Sequence, residues 1–91
     1  MMLSNLLRDF SNGAMLEAAV VEQASIGLLT HFGLTERFGW MAIKEQIETA
    51  AARRVYPGKT KGDVAIHWVD LANKGKLHIQ VNAHGSLEIS G

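Results

Sequence analysis

Residues 63–91 read DVAIHWVDLANKGKLHIQVNAHGSLEISG, and the folding of this stretch decides the architecture. Apolar residues alternate through it in three groups: Val64, Ile66 and Trp68; then Leu77, Ile79 and Val81; then Leu87 and Ile89. A period of two predicts strands with one buried side. Asn73-Lys74-Gly75 and His84-Gly85-Ser86 supply turn residues between the groups. The pattern therefore predicts a three-stranded antiparallel β-meander. In its first hairpin Trp68 faces Ile79 and Ile66 faces Val81, pairs that stabilise a sheet by about 0.2–1 kcal/mol each. In its second hairpin Ala83 faces Leu87 and Val81 faces Ile89, with Gly85 in the left-handed position of a three-residue loop.

The other face of this expected sheet carries Ala65, His67, Val69, His78, Gln80, Asn82 and Glu88. It is polar but nearly uncharged. His67, His78, Gln80 and Asn82 are the candidate contact residues for a protein partner. Tyr56, Lys59 and Lys61 join them from the preceding loop, residues 56–62, which is basic and glycine-rich. The strand edge at 87–89 is a second place where another chain could pair.

Upstream the period changes to that of helices. Residues 14–32 are apolar around most of a helical circumference, so this segment is a central helix packed on two sides or a dimer contact. Gly33 ends it. From Trp40 a second helical stripe runs through Ile43, Ile47, Ala50, Ala51 and Val55, with Pro57-Gly58 as the expected stop. Leu3, Leu6, Leu7 and Phe10 predict a short N-terminal helix. The fold class is α+β, with helices packed on one face of the meander. A single domain covers residues 1–91: helical 1–55, basic loop 56–62, sheet 63–90.

The length of 91 residues suits one domain. Hydrophobic residues make up 47 % and charged residues 20 %, a balance that points toward self-association as a homodimer. With no cysteine, disulfides and thiolate-bound metal are excluded. No basic segment leads into an apolar run near the N-terminus and no apolar stretch is long enough to span a bilayer, so a cytoplasmic, membrane-free protein is expected. Net charge is zero but unevenly placed. Residues 1–52 hold three cations and six anions, and residues 53–91 hold six cations and three anions. The six cations are Arg53, Arg54, Lys59, Lys61, Lys74 and Lys76, the candidate phosphate contacts of a nucleic-acid-binding protein, with Tyr56 as a stacking surface.

Other motifs are incomplete. Gly58-Lys59-Thr60 matches the tail of a phosphate-binding loop, but a helix rather than a strand precedes it and Arg53 or Arg54 stands upstream where glycine is required. His31-Phe32-Gly33-Leu34-Thr35 has the pattern of a helix–turn–helix turn. His67, His78 and His84 lack a carboxylate to complete a metal set, so neither a metal nor a cofactor is expected. No nucleophile or acid–base pair has defined spacing, so no catalytic residue is assigned.

These readings favour a small non-catalytic interaction or regulatory protein of the adaptor or inhibitor type. The alternative is a winged-helix-like DNA-binding protein using residues 31–54 and a basic hairpin at 74–76. A small enzyme or metal-binding domain has the least support.

Overall fold

A computed structural model describes residues 16–91. The N-terminal helix expected around Leu3–Phe10 positions lies outside the described residues. Among the described residues three helices are followed by one hairpin: α1 (Glu17–His31), α2 (Trp40–Ala52), α3 (Lys61–Asn73), β1 (His78–Val81) and β2 (Leu87–Ser90). The three-stranded meander is not formed. Its first strand is helix α3, and the sheet has two antiparallel strands.

Residues 61–73 become a helix because that geometry buries more of their apolar surface. Val64, Ala65, Trp68, Val69 and Ala72 are all buried. Their spacing of one and four places them on one helical face. A one-sided strand would bury Val64, Ile66 and Trp68 but leave Ala65 and Val69 on the outer side. Burying a side chain such as Val69 is worth about 1.5–3 kcal/mol, whereas strand propensities span about 1 kcal/mol in total. The alternation of β-branched residues is therefore outweighed.

Local signals agree with the helix. Thr60 and Asp63 form a reciprocal capping box: the Asp63 N–H donates to Thr60 Oγ1 at 3.3 Å, and the Thr60 N–H donates to Asp63 Oδ2 at 3.0 Å. At the other end Gly75 has φ +69, the left-handed region that a side chain disfavours. The Lys76 N–H donates to the Leu71 carbonyl at 2.8 Å and the Gly75 N–H to the Ala72 carbonyl at 3.1 Å. That pair of bonds is a Schellman ending. Asn73-Lys74-Gly75 is thus a helix stop, not a hairpin turn, and Lys74 and Lys76 flank the joint between α3 and β1. The basic loop is correspondingly shorter than residues 56–62, because Lys61 and Gly62 already belong to α3.

Helix α1 is central, packing against both α2 and α3. It contributes Val20, Val21, Ala24, Leu28 and Leu29 to the core. Its one buried polar side chain, Ser25, returns its hydroxyl to the Val21 carbonyl at 2.6 Å, so no donor is stranded. Ile43 and Ile47 face it from α2, and Val64, Trp68 and Val69 from α3. α2 ends at Ala52, five residues before Pro57, through its own backbone bonds. Among the described residues no helix is long and apolar enough to cross a membrane.

The hairpin keeps the expected inner face but not the expected register. Ile79 pairs with Ile89 and Val81 with Leu87, two residues from the predicted pairing. The cause is Asn82. Its Oδ1 accepts the N–H groups of His84 at 2.9 Å and Ser86 at 3.0 Å. The Asn82 N–H donates to the Ser86 carbonyl at 2.8 Å, so Asn82 and Ser86 close a loop of Ala83, His84 and Gly85. β2 also packs against α2, which ties the hairpin to the helical layer.

Replacing Thr60 with alanine removes the N-cap of α3 and is expected to lower unfolding free energy by about 1 kcal/mol in a urea titration. Stability unchanged from that of the parent would contradict a helix starting here.

Candidate functional site

The exposed surface around α3 gathers most of the residues that carry charge or chemistry in the second half of the chain. It begins at the end of α2. Arg53 caps that helix, and Arg54 follows with φ +53. The segment then turns at Tyr56–Lys59, where the Lys59 N–H donates to the Tyr56 carbonyl at 3.2 Å. Tyr56 anchors the turn to α3. Its hydroxyl accepts the indole N–H of Trp68 at 3.0 Å. Its ring meets His67 edge-on, with centroids 4.8 Å apart. Between Glu48 and Asp63 the sequence holds Arg53, Arg54, Lys59 and Lys61 and no carboxylate. Lys61 reaches Glu48 at 3.7 Å, an exposed pair of the kind worth about 0–1 kcal/mol.

The first turn of α3 is already closed by the protein itself. Besides the Thr60–Asp63 box, the Gly62 N–H donates to Glu17 Oε1 at 3.0 Å, bringing the start of α1 onto the start of α3. A methyl group at residue 62 would stand 3.0 Å from Glu17 Cγ, so glycine permits this close approach. The Gly62 N–H, with the Thr60 hydroxyl second, holds the Glu17 carboxyl below its ordinary value. The backbone N–H of Thr60 does the same for Asp63. A helix does follow Gly58-Lys59-Thr60, contrary to expectation. Still, a helix precedes it and carboxylates occupy its N–H groups, so the phosphate-loop reading stays incomplete.

Beyond that turn, Lys59, Asp63, Ile66, His67 and Asp70 line an open depression of about 340 Å³ on the outer side of α3. At the far end Lys74 pairs with Asp70 at 2.9 Å. Along the sequence the six cations therefore fall into two groups: Arg53, Arg54, Lys59 and Lys61 up to the first residue of α3, and Lys74 and Lys76 just after it. α3 has 13 residues, so its two ends, where Lys61 and Lys74 stand, are about 20 Å apart at a rise of about 1.5 Å per residue.

The expected polar sheet face does not exist as one surface. His67 lies on α3, half-buried beside Tyr56, whereas His78 and Gln80 lie on the exposed side of β1. The Gln80 amide is engaged with Glu88 at 3.0 Å, and the Asn82 amide oxygen is engaged in the loop. Tyr56, Lys59 and His67 are brought together, Lys61 reaches away to Glu48 of α2, and His78, Gln80 and Asn82 belong to the hairpin. Asp63, Ile66 and Asp70 were not singled out by sequence reasoning. The Thr60-x-x-Asp63 signature could have found them, because it places a helix start at Lys61 and turns positions 63, 66, 67 and 70 to a common side. Among the described residues no three histidine or carboxylate groups gather as a metal-ligand set.

Compared with family models, with curated proteins and with solved structures, the chain shows no match.

Both Glu17 and Asp63 titrate below their ordinary values in the folded chain, so both stabilise it above the unfolded carboxylate range. That stability is lost as pH falls from about 4 through the lowered folded values. Thermal melts between pH 7 and pH 2.5 are expected to show Tm falling in this window, and less steeply in Glu17→Gln. Identical acid limbs in parent and variant would exclude the Glu17 contact.

Proposed function

We propose that this protein binds duplex DNA without catalysing a reaction, with α3 laid against the major groove. The observation that carries this reading is the bracketing of α3 by cations at both ends. A major groove is about 12 Å wide, so cations at the two ends of a helix about 20 Å long suit phosphates on its two sides. Among the described residues, three helices followed by a hairpin also follow the element order of a winged helix–turn–helix unit, a fold-level analogy. The helix pair in this reading is α2 and α3, not the pair expected at residues 31–54. The hairpin tip is Ala83-His84-Gly85, which carries no lysine or arginine, so the basic 74–76 segment acts at the end of α3 instead. The turn between α2 and α3 spans eight residues, 53–60, longer than the usual three or four.

Asp63 and Asp70 oppose phosphate on this face, and the chain has no net charge. Binding without sequence preference is therefore expected at the weak end, with Kd of about 10⁻⁴ M. The same two carboxylates beside Ile66 and His67 favour a second reading, a non-catalytic docking surface for a basic segment of a protein partner.

Fluorescence anisotropy with a labelled mixed-sequence duplex, run from 50 to 200 mM salt, tests the first reading. Affinity should fall with salt, and Lys59→Gln with Lys61→Gln should flatten the log–log slope by about 2. Absence of binding at low salt would overturn it. Asp70→Asn separates the two readings. It is expected to tighten duplex binding by about threefold through lost repulsion and a freed Lys74. No gain for DNA, with weakened capture of a polylysine peptide, would favour the protein partner.

A further inference from the structure

Arg54 stands out in the backbone of the described residues. It is the one non-glycine residue there with positive φ, at +53. Its position is the residue after the C-cap of α2, where the Val55 N–H donates to the Ala50 carbonyl at 3.1 Å and the Arg54 N–H to the Ala51 carbonyl at 3.2 Å. α1 and α3 end through the same pair of bonds, and both place glycine at this position: Gly33 at φ +67 and Gly75 at φ +69. Thus one chain builds the same helix ending three times and once fills it with a residue that the conformation disfavours.

The two backbone bonds hold this conformation, but no side-chain contact of Arg54 adds to them. The Arg54 side chain is exposed, and among the described residues it takes part in no ion pair and no side-chain hydrogen bond. Non-glycine residues held in left-handed backbone cluster at active sites, ligand clamps and switch regions. Arg54 also sits in the run from Glu48 to Asp63 that lacks any carboxylate, next to Arg53 and ahead of Lys59. A planar guanidinium offers paired N–H donors that match two oxygens of a phosphate, which a lysine ammonium does not.

We propose that Arg54 is a phosphodiester-contacting residue of the α2–α3 turn, held in a costly backbone conformation because its guanidinium is used on the DNA backbone. This rests on the duplex-binding reading and deepens it. Arg54 positions the duplex and does not read bases, so its effect is uniform across sequences.

The test combines stability with binding in Arg54→Gly, Arg54→Lys and Lys59→Gln. In Arg54→Gly the strain is relieved, and Tm is expected to rise by about 3–8 °C. Duplex affinity at 50 mM salt should fall about 5- to 10-fold, and the salt slope should drop by about 1. Arg54→Lys keeps the charge and the strain, so its Tm and salt slope should stay near those of the parent while affinity falls about twofold. A more stable Arg54→Gly that binds like the parent would overturn the proposal, and Lys59→Gln weakening binding in that experiment would leave the duplex-binding reading standing. A parent protein that fails to bind any duplex would overturn both.

Discussion

The structure depends on how the first turn of α3 is closed. Thr60 and Asp63 exchange hydrogen bonds across it, and Glu17 takes the N–H of Gly62 from a different helix. These contacts do two things at once. They start a helix in a segment whose alternation of β-branched residues suits a strand, and they join the start of α1 to the start of α3. Glu17 can come this close because residue 62 has no side chain. Once α3 is a helix, Trp68 and Val69 turn inward together, and α1 becomes the middle of the helical layer.

The same closure shapes the electrostatics of the exposed side. A free helix N-terminus attracts anions. Here carboxylates of the chain occupy it, so in the proposed duplex complex the attraction for phosphate comes from side chains at the two ends of α3. Zero net charge removes long-range steering as a general property of the molecule, which leaves the local arrangement of Arg53, Arg54, Lys59 and Lys61 to act over about a Debye length. Their pairing with acids is loose: Lys61 meets Glu48 at 3.7 Å across an exposed surface. Such a contact is easily exchanged for another anion.

Helices α1 and α2 were legible because their segments permit one period only. Gly33 as the end of α1 and Trp40 as the start of α2 follow from that, as does the inner face of the hairpin, with Ile79, Val81, Leu87 and Ile89 on one side. The register of the hairpin was not legible, because an inward set of residues defines only the parity of pairing. The side chain of Asn82 supplied the missing two-residue shift by closing the loop one position earlier. The candidate site was legible as a set of cations and as the residues Tyr56 and His67. Its division into two ends of one helix was hidden behind the strand reading of residues 63–69, which also created a polar sheet face that the molecule lacks.

By itself the sequence determined a small α+β chain, helices α1 and α2, the inner face of the hairpin and the excess of cations after residue 52. Each of these rests on short-range chemistry: residue period, turn formers and charge along the chain. Only the tertiary structure decided whether residues 61–73 lie flat as a strand or coil as a helix. The segment satisfies both periods locally, with Val64, Ile66 and Trp68 alternating and with Val64, Ala65, Trp68, Val69 and Ala72 on one helical face. The helix prevails because α1 offers a surface that covers the larger set, and a core rewards the arrangement that removes more apolar area from water.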